Sequence, residues 1–186
     1  MLYLCLLLKP KDMMHPYTET KPRIELVPSA LDKTLETLGK LFLFVMLALT
    51  VYTFIKSPST VPTHFNAAGQ ADDYGNKAAV LILPAIGVVI YFVMTVLSRK
   101  PHLFNYMTKI TVENAQQQYS TAARMIRFVK LAILALFTFI ILFTYLTSIG
   151  AVKGLGGWFL PLTLLLLLGP TAFLIIQSAR AANKKS

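Results

Sequence analysis

Apolar residues run without an internal charge over residues 41–55, 78–97, 131–149 and 158–176. A hydrocarbon core about 30 Å thick needs roughly 20 helical residues. With their flanks the four runs approach that length, over about 38–55, 78–97, 128–149 and 158–177. The first is short, and it spans if Lys40 carries its ammonium outward along its alkyl stem. An outer-membrane barrel would alternate apolar and polar residues, so the unbroken runs point to helices. The pattern predicts an all-α integral membrane protein, with four transmembrane helices forming a single domain over 29–186 behind an N-terminal segment, 1–28.

The polar flanks carry their own periodicity. Ser29 followed by Asp32 reads as a helix start. Leu31, Leu35, Leu38 and Phe42 then recur at helical spacing, which predicts an amphipathic N-terminal helix running into the first span. From Val112 to Ile149 there is no proline or glycine, which predicts one long third helix. At about 1.5 Å per residue it outruns the bilayer and projects into the cytoplasm. Its polar part carries Gln116, Gln117, Gln118, Tyr119, Arg124 and Arg127, read as a solvated, lipid-anchoring face. Pro161 and Gly169-Pro170 imply kinks or tight packing in the fourth span.

Composition agrees with the pattern: 55% of the 186 residues are hydrophobic and the mean hydropathy is +0.61, well above a soluble domain. Charge sets the orientation. Of 18 lysines and arginines, Lys56 and Lys77 fall in the first connection (56–77) and Lys153 in the third. The rest lie before the first span or at its start (Lys40), in the connection 98–127 or at the start of the third span (Lys130), or in the tail. This bias places both termini inside and the first connection outside. The net charge of +10 is then explained by basic flanks beside anionic membrane lipids, with no call for nucleic acid. The opening MLYLCLLLKP has no basic residue before its apolar run and no small-residue cleavage site after it, so it does not read as a signal peptide; Met13 or Met14 is an alternative start. Cys5 is the one cysteine and has no partner for an internal disulfide.

Every Asp and Glu lies outside the apolar runs, which disfavours a pump or proton-coupled transporter acting alone. Thr138, Thr144, Thr147 and Ser148 are expected to bond back to their own helix or across to a neighbour. Chemistry falls to the outer connection, SPSTVPTHFNAAGQADDYGNK. Pro58 and Pro62 stiffen its approach, Gly69 and Gly75 permit positive φ, and Asn66 and Asp72 can bond nearby backbone. An ordered loop of this kind would hold His64 and Asp72 in fixed directions, with Phe65 and Tyr74 at the interface and Lys77 at its end. No metal or cofactor is expected, because His15 and His102 lie across the membrane and three ligands do not converge by spacing. No nucleophile elbow is present. Acid–base work by His64 with Asp72, ligand binding at the loop, and a lid that only covers the bundle all stay open.

The segment VPTHFNAAGQADDYGNK resembles the signature of a bacterial membrane family catalogued as domain of unknown function 1648, I-P-x-H-F-N-x-x-G-x-x-D-x-[aromatic]-G-x-K. Pro62, His64, Phe65, Asn66, Gly69, Asp72, Tyr74, Gly75 and Lys77 fall on that pattern, and the likeness extends over roughly 41–146. Asp72 holds the motif position, whereas Asp73 stands where relatives often carry glycine. The same domain is similar to the amino-terminal part of SdpI-type immunity proteins, which protect bacteria from a secreted toxic peptide and take part in signalling. The resemblance implies a binding or immunity-like membrane protein whose outer loop engages a peptide or envelope component. The alternatives are a small membrane enzyme acting on a lipid-linked or envelope substrate through His64 and Asp72, and an accessory subunit of a larger membrane complex, with a protein partner or a second copy of itself.

Overall fold

In a computed structural model the described residues are 21–106 and 108–183; Cys5, His15 and the two alternative starts lie outside them. The helices are α1 (Ala30–Lys56), α2 (Ile82–Ser98), α3 (Val112–Ser148) and α4 (Phe159–Asn183). Two antiparallel strands, β1 (Thr60–Phe65) and β2 (Ala71–Asn76), sit between α1 and α2. The fold is therefore mostly helical rather than all-α. The connection 56–77 is a β-hairpin, which hydrophobic alternation does not announce.

Helix α1 starts where its cap dictates. The Ser29 hydroxyl accepts from Asp32 N while the Asp32 carboxylate accepts from Ser29 N, a reciprocal capping box. Such a cap contributes about 1 kcal/mol. The helix then runs unbroken to Lys56, so the expected interfacial helix and first span are one element. Its buried stripe differs from the expected leucine stripe: Leu31 and Leu38 are exposed, and the inner face is Asp32, Leu35, Gly39, Met46, Thr50 and Thr53. The physical reason lies on α3, whose basic residues draw the acids of α1 inward.

Helix α3 is the organising element. Its 37 residues form the single long helix expected, and it packs against α1, α2, α4 and β1. The core gathers Met46, Val61, Val80, Tyr91, Leu134 and Ile141. Large apolar side chains such as Phe44, Val51, Val89 and Phe92 point outward, while Thr50, Thr53, Thr138 and Thr144 are buried. Outward apolar residues and inward hydroxyls are the arrangement of a helix bundle solvated by lipid, where packing and hydroxyl bonds rather than hydrophobicity hold helices together. Thr138 and Ser148 bond back to Leu134 O and Tyr145 O, each at 2.7 Å, as expected, whereas the buried Thr147 Oγ1 finds no partner among the described residues. Among the described residues three helical segments are long and apolar enough to cross a membrane: Ala30–Lys56, Lys77–Ser98 and Val112–Ser148. The apolar part of α4, Phe159–Phe173, is shorter. Pro161 sits in its first turn, where no intrahelical donor is required, and Pro170 lies inside it.

Arg124 and Arg127 do not form the solvated, lipid-anchoring face expected of them; together with Lys130 they turn toward α1. Arg124 donates to Asp32 at 3.1 and 3.3 Å. Lys130, fully buried, donates to both Glu36 oxygens at 3.0 and 2.9 Å and to Thr95 Oγ1 at 2.9 Å. Its ammonium also lies 4.7 Å from the centre of the Tyr91 ring. Three acceptors for three N–H donors satisfy a charge that would otherwise be costly in this setting. The pairing ties α1, α2 and α3 together at one end of the bundle.

Candidate functional site: the hairpin and the groove beneath it

The hairpin is built by side chains that replace missing backbone partners. Asn66 Oδ1 accepts from Ala68 N and Gln70 N, both at 3.0 Å, and Gly69 N donates to Asn66 O at 2.8 Å. Asn66 thus spends its carbonyl on the turn. Gly69 takes φ of 73°, as expected. Its carbonyl accepts from Leu155 N at 2.7 Å and Gly156 N at 3.3 Å, and Gln70 pairs with Gly154. The hairpin tip is therefore docked on the connection between α3 and α4. Gly75 does not take positive φ; a Cβ there would instead come within 3.0 Å of Thr63 Cγ2. Close packing, not a turn, is what calls for glycine at that position.

The strands set the two motif side chains against each other. The register skips between Pro62 and His64 and again between His64 and Phe65. This local irregularity re-aims side chains as a bulge does, and His64 Nδ1 meets Asp72 Oδ1 at 2.6 Å. The side chains remain 65% and 42% exposed, so the pair is open to a ligand. With Asp72 accepting at Nδ1, the neutral imidazole keeps that proton and leaves Nε2 as an acceptor. Asp73 turns the other way, accepting from Thr63 Oγ1 at 3.2 Å and from Tyr74 N at 2.9 Å.

The other motif residues divide between scaffold and wall. Lys77 closes the hairpin base: its N–H donates to Ser59 O at 2.9 Å and its ammonium lies 5.1 Å from the centre of the Phe54 ring. Pro62 is buried and pairs with Tyr74, whose own side chain is exposed away from the groove. Phe65 is half-buried and enters the wall of a cavity of about 640 Å³. Pro62, His64 and Asn66 are also on the hairpin side of that wall. Opposite them stand Ile82, Ile141, Thr144, Leu155 and Leu160, so a largely apolar groove lies directly beneath His64. Its volume falls within the usual range for small-ligand sites.

Sequence reasoning missed the wall contributed by Leu155, Phe159, Leu160 and Thr163. A signal was present in Gly150, Gly154, Gly156 and Gly157, a glycine-dense connection of the kind that lets one backbone approach another. Three of these take positive φ. Among the described residues no three His, Cys, Asp or Glu side chains converge as a metal site would require.

Comparison with known proteins meets the same region. Residues 41–88 match the family model described as "Domain of unknown function (DUF1648)", which takes in α1 from Leu41, the whole hairpin and the start of α2. An "Uncharacterized protein" of Archaeoglobus fulgidus is 42% identical over 62 residues, covering 32% of this chain and 34% of that protein. The match thus spans about a third of the relative's length. Neither description carries the immunity expectation. No solved structure matches the chain.

Proposed function

We propose that this chain is a membrane binding protein, in which the outward hairpin and the groove beneath it hold an amphipathic component of the cell envelope, a peptide or a lipid-derived molecule. One observation carries the reading: the apolar groove of about 640 Å³ has the exposed His64 at its rim, with the imidazole held from behind by Asp72 at 2.6 Å. An apolar segment of the ligand occupies the groove, and its polar end meets the carboxylate-fixed imidazole. An immunity-like role, sequestering a secreted peptide, is the form of this reading that the SdpI-type resemblance favours. A catalytic reading draws on the 2.6 Å His64–Asp72 bond, which orients a base as acid–base chemistry requires. The same bond serves to orient a ligand contact.

The reading includes a topology. With α4 as a fourth span, both termini face the cytoplasm and the hairpin faces outward across the cytoplasmic membrane, as the distribution of lysine and arginine favours.

A photo-reactive phenylalanine analogue at Leu160, in the groove wall, tests the proposal in native membranes. It is expected to capture a discrete species beyond bulk phospholipid. The same probe at Leu168, exposed further along α4 and outside the groove wall, is expected to capture phospholipid alone. Identical adducts at both positions would overturn the reading.

A further inference from the structure

At the end of the bundle opposite the hairpin lies a second cavity, of about 490 Å³. Its polar wall is Glu25, Asp32, Lys33, Glu36, Arg99 and Arg127. The α1 acids are already engaged: Asp32 accepts from Arg124 and from Ser29, and Glu36 accepts from Lys130 through both oxygens. Arg127 is left with long contacts, 3.5 Å to Asp32 and 3.9 Å to Glu36, although its side chain is 13% exposed. A guanidinium has five N–H donors, and contacts of that length satisfy few of them. Arg99 and Lys33 face the same cavity, and no described residue pairs with either side chain. Around the cavity and its ion pairs, Lys33, Arg99, Arg124, Arg127 and Lys130 outnumber Glu25, Asp32 and Glu36.

We propose that this cavity binds an anionic phosphate group. Among the described residues Lys33, Arg99 and the weakly held Arg127 outnumber Glu25, the one acid of the wall without a partner, so the unmet charge is net positive and most of the unmet hydrogen-bonding capacity is donor; two of the three cations are arginines, whose planar fork matches a phosphate's oxygens. An acidic or neutral ligand without such oxygens would leave those donors unpaired. Both an anionic phospholipid headgroup and a free phosphate offer this chemistry. A cavity at the end of the apolar bundle, where headgroups lie, is reachable by either.

The full chain, purified in neutral detergent, tests this by native mass spectrometry with phosphatidylglycerol or phosphatidylcholine and by calorimetry with inorganic phosphate. The comparison protein carries Lys33→Gln and Arg99→Gln together; both side chains are exposed and without described partners, so its thermal midpoint should match the parent. Retained phosphatidylglycerol that weakens about tenfold in the double variant, with phosphatidylcholine not retained, supports the site and assigns a lipid headgroup. Inorganic phosphate binding with the same dependence, without retained phosphatidylglycerol, supports the site and assigns a soluble phosphate. If neither probe distinguishes the two proteins, including the case in which phosphatidylglycerol binds both equally, the proposal is overturned.

Discussion

His64 and Asp72 hold each other at 2.6 Å on two strands while both remain open to solvent. Neither contributes to the core, so His64→Ala and Asp72→Asn should each change stability by less than about 0.5 kcal/mol. Gly69 stands in contrast. Its φ is 73° and an added Cβ would fall 2.3 Å from Gly156 O, so Gly69→Val should strain the turn and push the hairpin off the α3–α4 connection. Thermal unfolding in detergent should show a loss of at least about 1 kcal/mol. Gly75→Val should cost less, because its near neighbour is the Thr63 side chain, which can shift. The need for glycine at position 69 was legible, since a polar turn anchored by Asn66 calls for positive φ. The need at position 75 was not, because tight contact with Thr63 exists only once the strands pair.

At the scale of elements, the ion pairs between α1 and α3 decide how the bundle closes. Lys130→Met should leave Glu36, whose side chain is 25% exposed, with only the 3.9 Å contact to Arg127; breaking a fully buried pair from one side costs about 3–5 kcal/mol, so the loss here should be at or below about 3 kcal/mol. Glu36→Leu combined with Lys130→Met should recover most of that loss, since an apolar pair of similar volume removes both desolvated charges. Unfolding curves of the single and double variants check this; equal losses in both would mean that the pair itself is not what holds the helices. The start of α1 and the length of α3 could be read from Ser29, Asp32 and an uninterrupted run of helix-compatible residues. The Glu36–Lys130 pairing could not, since the partners lie 94 positions apart in the chain and periodicity reports only which residues share a face. The strands were hidden for a different reason: TVPTHF and ADDYGN hold Pro62, Asp72, Asp73 and Gly75, all poor strand formers. Docking of Gly69 and Gln70 on Leu155, Gly156 and Gly154 supplies tertiary contacts that such a hairpin lacks alone.

For the whole molecule, the charge distribution and the hairpin's position make one claim about sidedness. In a variant carrying Cys5→Ser, single cysteines at Ser59 or Gln70 should react with an impermeant thiol reagent in intact cells, and one at Gln117 should not. Reversed labelling would place the hairpin inside and remove the envelope from its reach. The central claim is that the hairpin and the groove act together as one binding site, with His64 and Asp72 contacting the ligand rather than clamping the fold. The photo-reactive probe at Leu160 tests it most directly when combined with His64→Ala or Asp72→Asn. The account predicts that the discrete adduct falls by about tenfold or more while the unfolding midpoint stays where it is in the parent protein. An adduct that persists unchanged, or that fades only in step with lost stability as in Gly69→Val, would contradict it.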